Sequence, residues 1–207
     1  MNNCCLIGYS GHAYVVFDSV KSMGFELKYY CELNQKIFNP YNLEYLDTES
    51  AAFEKGHFKN TFPVLAIGDN NLRKRAGDFF SNAGIKMFTA IHSKSYIANE
   101  VSLGEGTVVF AGVVINPLVK IGIGVICNTS CIIEHESVIG NYSHICPGAV
   151  IAGNVQVGKN VFVGANSVIK QGIIIGDDAV IGAGSVIVKN VDEGDIIFGN
   201  PAKAKLK

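Results

Sequence analysis

The sequence predicts two architectures in series, a small Rossmann-like α/β unit over residues 1–92 and a parallel β-helix of hexapeptide repeats over residues 93–207. From Ile97 to Ile187 every sixth residue is a small or branched apolar one, an unbroken run of sixteen positions. A fixed period of six is the mark of a hexapeptide solenoid. Fifteen of the 20 Phe and Tyr residues precede residue 93, whereas 16 of the 23 glycines follow it. An aromatic-cored unit therefore meets a Gly-punctuated one at that point, which is where a domain boundary is expected.

In the solenoid, three hexapeptides make one triangular coil, so residues eighteen apart stack. The anchors, among them Val109, Cys127, Ile145 and Val163, point inward. A smaller residue two positions earlier, such as Thr107, Cys131, Ser137 or Ser143, fills the space near a corner, and Gly or Asn supplies the turn dihedrals. With the ordinary spacing between neighbouring strands of about 4.8 Å, roughly five coils make a prism about 25 Å long. Outward apolar residues, Phe110 and Phe162, are left without cover and point to assembly.

The first unit reads as β and α in alternation. Cys4–Ile7 is a buried strand, Gly8-Tyr9-Ser10-Gly11-His12 a turn, and Ala13–Met23 a helix with Val15, Val16, Ser19, Val20 and Met23 on one face, stopped by Gly24. Glu26–Cys31 and Phe62–Ile67 are further strands, the latter ending at Gly68. A helix capped by Asp69 or Asn70 runs to about Ala83, and Ile85–Thr89 is a fourth strand. Between Asn34 and Asn60 a connecting strand or loop is expected, then a short helix around Glu49–Phe58.

Composition excludes several classes. A formal charge of −1 and a pI near 6.5 argue against a polyanion such as nucleic acid as partner. No run of eighteen apolar residues exists, and Met1-Asn2-Asn3 lacks the basic start of a signal peptide, so a cytoplasmic protein without a membrane segment is expected. Six cysteines do not make a disulfide framework here; Cys127 and Cys131 fall on inward positions, so core thiols rather than metal ligands are expected.

Two features carry chemistry. The strand, glycine turn and helix at Gly8–His12 aim backbone N–H groups at a ligand phosphate, and Gly68-Asp69-Asn70 repeats that geometry at the end of another strand. Neither turn has the full dinucleotide fingerprint or a Walker lysine, and a turn needed only for packing fits Gly8–His12 equally well. The second feature is Glu134-His135-Glu136, directly after the anchor Ile133, with His144 half a coil further on and Gly153 one coil above His135. A carboxylate bonded to one ring nitrogen fixes the tautomer and raises the basicity of the other, which suits a general base. Gly153 leaves room beside the imidazole and a backbone N–H for a substrate carbonyl.

The stretch Asn128 to Gly140, the following Ser143-His144 and the tail Gly199-Asn200-Pro201-Ala202-Lys203 resemble the hexapeptide acyltransferases. With Gly8–His12 and Ala66-Ile67-Gly68-Asp69-Asn70 ahead of them, they resemble more narrowly the family of sialic acid O-acetyltransferases and nucleotide-4-amino-sugar N-acetyltransferases. The resemblance implies a left-handed parallel β-helix and a homotrimer with CoA between adjacent prisms. It implies transfer from acetyl-CoA to the 4-amino group of a UDP- or dTDP-linked 4-amino-4,6-dideoxy sugar, in bacterial surface glycan or glycoprotein synthesis. His135 would be the base, Glu136 would raise its basicity and the Gly153 amide would serve the oxyanion. His144 would bond the thioester region, Ala165 and Ala183 would line the CoA channel, and Ser10, Gly11, His12 and Gly68 would hold the nucleotide sugar. Glu32 stands where relatives place paired acidic residues, but Leu33 follows it. Competing readings are O-acetylation of a sugar hydroxyl, a thiol intermediate on Cys131 or Cys146, a zinc lyase, and a non-catalytic nucleotide-sugar scaffold. A zinc lyase needs three histidines where the solenoid supplies two.

Overall fold

In the computed structural model, which describes residues 3–204, the chain forms a four-stranded parallel sheet followed by a three-faced prism. Met1 and Asn2, part of the amino-terminal stretch considered above, lie outside the described residues. The elements of the first unit are β1 (Asn3–Ile7), α1 (Gly11–Ser22), β2 (Glu26–Cys31), β3 (Glu44–Tyr45), α2 (Glu49–Glu54), β4 (Thr61–Leu65) and α3 (Asn70–Asn82). The strand order is β3-β2-β1-β4, all parallel, so the turns after β1 and β4 leave the same edge side by side. That is the crevice geometry of doubly wound sheets. In α1 the residues Ala13, Val16, Ser19 and Val20 are buried, whereas Val15 is 41% exposed and not on the packed face.

Ile85–Thr89 is not a strand. Ile85 N bonds Phe80 O at the end of α3, and Phe88 N makes one bond to Pro63 O, after which the chain leaves the sheet. The fourth strand of the sheet is β3, at the opposite edge. The next strand, β5 (Ala90–Ile91), already pairs with Val108–Val109 in the prism.

The prism is a left-handed parallel β-helix of two-residue strands in three sheets. Its first face climbs from β5 through Ile126–Cys127, His144–Ile145 and Phe162–Val163 to Ile196–Gly199. The second includes Ile132–Ile133 and Val150–Ile151, and the third Val138–Ile139 and Gln156–Val157. Register runs in steps of eighteen, Ile126 opposite His144 and His144 opposite Phe162. The anchors from Val109 to Ile187 are all buried, and Ile97 and Leu103 are half-buried at the open end, where no coil lies beneath them. Hydroxyls two positions before an anchor stitch the coils together: Ser137 Oγ donates to Ala152 O (2.9 Å) and accepts from Val155 N (3.1 Å).

Two positions share the work expected of glycine. A Cβ on Gly104, Gly140 or Gly158, directly after an anchor, would collide with the next coil, so these glycines permit close stacking. The left-handed dihedral falls two residues later at the corner, where Leu118, Glu136, Tyr142 and Asn154 adopt φ of 66, 61, 59 and 54°.

The α/β unit lies on the lower part of the first face. Phe110, expected to be an outward residue awaiting a partner, is fully buried with Val108 and Ile126 among Leu6, Val16 and Val20 of the first unit. Phe162 is exposed as expected, together with Val180 and Ile196 above it (38%, 36% and 46%).

Candidate active site

His135 and Glu136 form the corner between the second and third faces. The strand Ile132–Ile133 ends there, and the left-handed backbone at Glu136 swings its carboxylate back, so that Oε2 lies 3.0 Å from His135 Nδ1. Glu136, not Glu134, is the acid bonded to the imidazole. With the carboxylate accepting at Nδ1, the proton sits on Nδ1 and Nε2 presents a lone pair. Backbone bonds hold the corner, Glu136 N to Pro117 O (3.2 Å) and Asn154 N to His135 O (2.8 Å). Gly153 lies directly above, where a Cβ would be 2.6 Å from His135 Cε1 and Nε2. Among the described residues the Gly153 N–H makes no hydrogen bond. A half-exposed base with a free N–H above it is what proton abstraction next to a developing oxyanion requires.

A second cluster lies on the first face. The Gly8–His12 turn follows β1 at φ +91° for Gly8, and Ser10 precedes α1 with its hydroxyl unused as a cap. Gly11 opens the helix with nothing within 4 Å of a Cβ. Gly68 approaches from β4, its Cβ position 3.6 Å from His12 Cγ, and the His12 ring stands 6.0 Å from that of His144. Ser10, Gly11, His12, Gly68 and His144 therefore gather on one side.

Glu32 sits at the rim of the second cluster with its carboxylate engaged by the chain itself. Oε2 accepts from Tyr9 N (3.1 Å) and lies 3.3 Å from Lys36 Nζ, and Oε1 accepts from Leu33 N (3.0 Å). Burial alone would raise its pKa, but these bonds outweigh it and hold the carboxyl below its usual range.

Both histidines of this cluster are neutral. Burial, then the Arg73 guanidinium, pushes His12 down to about 4, and the same causes with His12 itself push His144 down to about 3. Asn128 Oδ1 accepts from Thr129 N, so its Nδ2 donates to His144 Nε2 (2.9 Å) and the His144 proton is on Nδ1. His144 Nδ1 and His12 Nε2 are buried without hydrogen-bond partners. Ala165 and Ala183 stack at the corner between the first and second faces, linked through Gly184 N to Ala165 O (2.8 Å).

The expected site residues thus fall into two groups. His135, Glu136 and Gly153 occupy the corner between the second and third faces. The first face, with His144 and the α/β turns, lies across the prism from that corner. One chain does not bring His135 and His144 together.

The sequence reading missed Arg73, which is fully buried and makes hydrogen bonds to both units. Its signal was present: Arg73, Ala76, Gly77 and Phe80 share the buried stripe of α3 at helical spacing.

Comparison with known proteins agrees with both halves. Residues 3–78 match the family model of the PglD N-terminal domain, and residues 154–189 that of the hexapeptide repeat of succinyl-transferase. The acetyltransferase domain of PglB from Neisseria gonorrhoeae FA1090 superposes with a TM-score of 0.93 at 26% identity, over 99% of this chain and 100% of that one. PerB from Caulobacter crescentus, solved with CoA and GDP-perosamine, superposes with a TM-score of 0.93 at 30% identity, covering 99% of this chain and 98% of that one. With 30% identity over an alignment that spans both the α/β unit and the prism, the chain belongs to the hexapeptide-repeat nucleotide-sugar N-acetyltransferases and is an acetyltransferase.

Proposed function

We propose that this enzyme transfers the acetyl group of acetyl-CoA to the 4-amino group of a nucleotide-linked 4-amino-4,6-dideoxy sugar, with His135 as general base, for bacterial surface glycan or glycoprotein synthesis. Acetyl-CoA is the cosubstrate, as in the PglB domain complex with acetyl coenzyme A. The observation that carries the reading is the Glu136–His135–Gly153 arrangement at the corner. His135 Nε2 takes a proton from the amine as its nitrogen attacks the thioester carbonyl. The Gly153 N–H stabilises the oxyanion, and collapse expels CoA thiolate, which recovers the proton from the imidazolium. No acyl-enzyme is needed: Cys131 and Cys146 are buried, the hydrogen bond with Cys127 and then burial raise the Cys131 thiol well above its usual range, and burial raises Cys146 to about 12.

The two half-sites meet in a homotrimer. The first face of one copy, with Ser10, Gly11, His12, Gly68 and His144, opposes the His135 corner of the next, and CoA runs along Ala165 and Ala183 between them. The apolar column Phe162, Val180 and Ile196 supports this packing, since it continues the first face above its own α/β cover. The amino-terminal unit, residues 1–92, carries the nucleotide sugar, and residues 93–207 carry the acetyl chemistry. No carboxylate pair is free at the end of β2 to read the base, so the rim loop after Glu32 and its backbone do so. The deciding test is a screen of UDP-, dTDP- and GDP-linked 4-amino sugars with acetyl-CoA, monitored by thiol release and by mass of the sugar product. A 42-dalton gain on the amine, about one acetyl group, is expected; thiol release with none of these acceptors would sink the proposal.

A further inference from the structure

Arg73 is fully buried, and the described residues include no carboxylate in ion-pair contact with it. Lone buried charges of this kind are rare because desolvation is costly. Burial accordingly lowers Arg73 to about 10, with Asp69, Tyr142 and Cys146 acting the other way, and it remains a cation at neutral pH. Oxygens satisfy it from two directions. From the α/β unit, Nη1 donates to Ile67 O and Gly68 O (both 3.1 Å), and Nη2 to Asn70 Oδ1 (2.8 Å). From the prism, Nε donates to Gly124 O (2.8 Å) and Nη2 to Tyr142 O (2.6 Å). Tyr142 lies two residues before His144, and Gly68 is the residue packed on His12.

A planar fork with five donors can span two backbone segments in one geometry; an ammonium cannot. The clamp is joined to the sugar-site turn itself. Asn70 continues it on the outer side, its Nδ2 donating to Asn160 O (3.1 Å) and Val161 O (3.2 Å).

We propose that Arg73 is a positioning residue for the nucleotide sugar: by bonding Ile67 and Gly68 on one side and Gly124 and Tyr142 on the other, it fixes the place of the Gly68 turn, and of His12 packed on it, against the prism. This rests on the reading of the Gly68 turn as part of the sugar site. A residue that merely glues two units together would change stability and leave the selectivity of binding alone. A positioning residue changes the KM of one substrate.

The test is Arg73→Lys and Arg73→Met, with Asn70→Ala as a milder third variant, each assayed with both substrates varied. The expected result is that KM for the amino-sugar nucleotide rises about tenfold or more in both Arg73 variants as the Gly68 turn loses its fixed place, with acetyl-CoA KM within about twofold. Arg73→Lys fails to rescue because the fork, not the charge, is lost, and Asn70→Ala moves the same KM less. Should Arg73→Met not fold, Arg73→Lys and Asn70→Ala carry the same comparison. Both KM values unchanged, or rising together, overturns the inference while the acetyl transfer itself stands. If the wild type acetylates no amino sugar, the functional proposal fails instead, and calorimetric titration with CoA, UDP, dTDP and GDP judges Arg73. Diphosphate affinity weakened with CoA affinity kept then supports it; equal affinities in variant and wild type, or no diphosphate binding by the wild type, overturn it.

Discussion

At the residue scale the histidines divide by environment. His135 is half-exposed and paired with Glu136, whereas His12 and His144 are buried and neutral beside Arg73. His135→Ala is expected to lower kcat by about 10² to 10⁴, the usual cost of losing a general base, with acetyl-CoA affinity by calorimetry unchanged. Retention of most of the wild-type kcat would remove His135 from the chemistry. Glu136→Gln keeps the shape of the corner but removes the carboxylate that holds the Nδ1 proton and orients the ring, so kcat should fall. An unchanged kcat in Glu136→Gln would show that Glu136 only packs. For His12 and His144 the sign of the pH effect on stability follows from their lowered values. The unfolded chain takes up protons near the ordinary 6.5, the folded one only near 4 and 3, so folding stability is complete above about 6.5 and is lost as pH falls below it. Each group contributes about 1.4 kcal/mol per pH unit in that window. The Tm should therefore drop between pH 7 and pH 5, above the range of ordinary carboxylates, and His144→Gln should flatten the slope. An equally steep slope in the variant would refute the assignment.

At the element scale the corners decide what can be substituted. Gly153→Ala places a methyl against His135 Nε2 and Cε1, and these are ring atoms held by the Glu136 bond. The ring must tilt, so kcat/KM falls by about tenfold or more while Tm stays close to wild type, because the anchors of the solenoid are untouched. Full activity in Gly153→Ala would show that the corner is looser than the contact distances require. Gly77 makes the converse case: a Cβ there would meet Tyr142 Oη at 2.7 Å, so Gly77→Ala pushes α3 off the prism and lowers Tm. The sixfold register, and with it His135 beneath Gly153, was legible because every anchor obeys one steric rule. The corner dihedrals were less so, since Leu118, Glu136 and Tyr142 adopt positive φ without being Gly or Asn, and coil stacking rather than local preference forces them. Ile85–Thr89 looked like a strand by composition alone. Its hydrogen bonds depend on where the chain must go next, which no local pattern records. Arg73 lay on the apolar stripe of α3, but nothing local says that backbone carbonyls of a distant coil would await it.

At the scale of the whole molecule, Phe110 was misjudged for the same reason: its partner is the other unit of its own chain, and only the docking of the two reveals it. That docking also places the two half-sites on different sides of one prism, which makes the assembly testable without a structure of it. At Gly11 a Cβ meets nothing within 4 Å, so Gly11→Val should fold while, on the proposed site, taking up the ligand's space and abolishing productive sugar binding. His135→Ala removes the proposed base on the other half-site. Each variant alone should be nearly inactive. If every site joins the first face of one copy to the His135 corner of the next, co-expressing the two variants yields interfaces that pair an intact face with an intact corner. In random trimers these are about a quarter of all interfaces, so the mixture should recover about a quarter of wild-type kcat. A site complete within one chain predicts no recovery, because every chain then carries one lesion. Activity of the co-purified mixture, measured against each parent variant and normalised to trimer content by sedimentation, separates the two cases. Recovery in preparations mixed after purification should appear only as fast as subunits exchange, which a time course on the same samples would reveal.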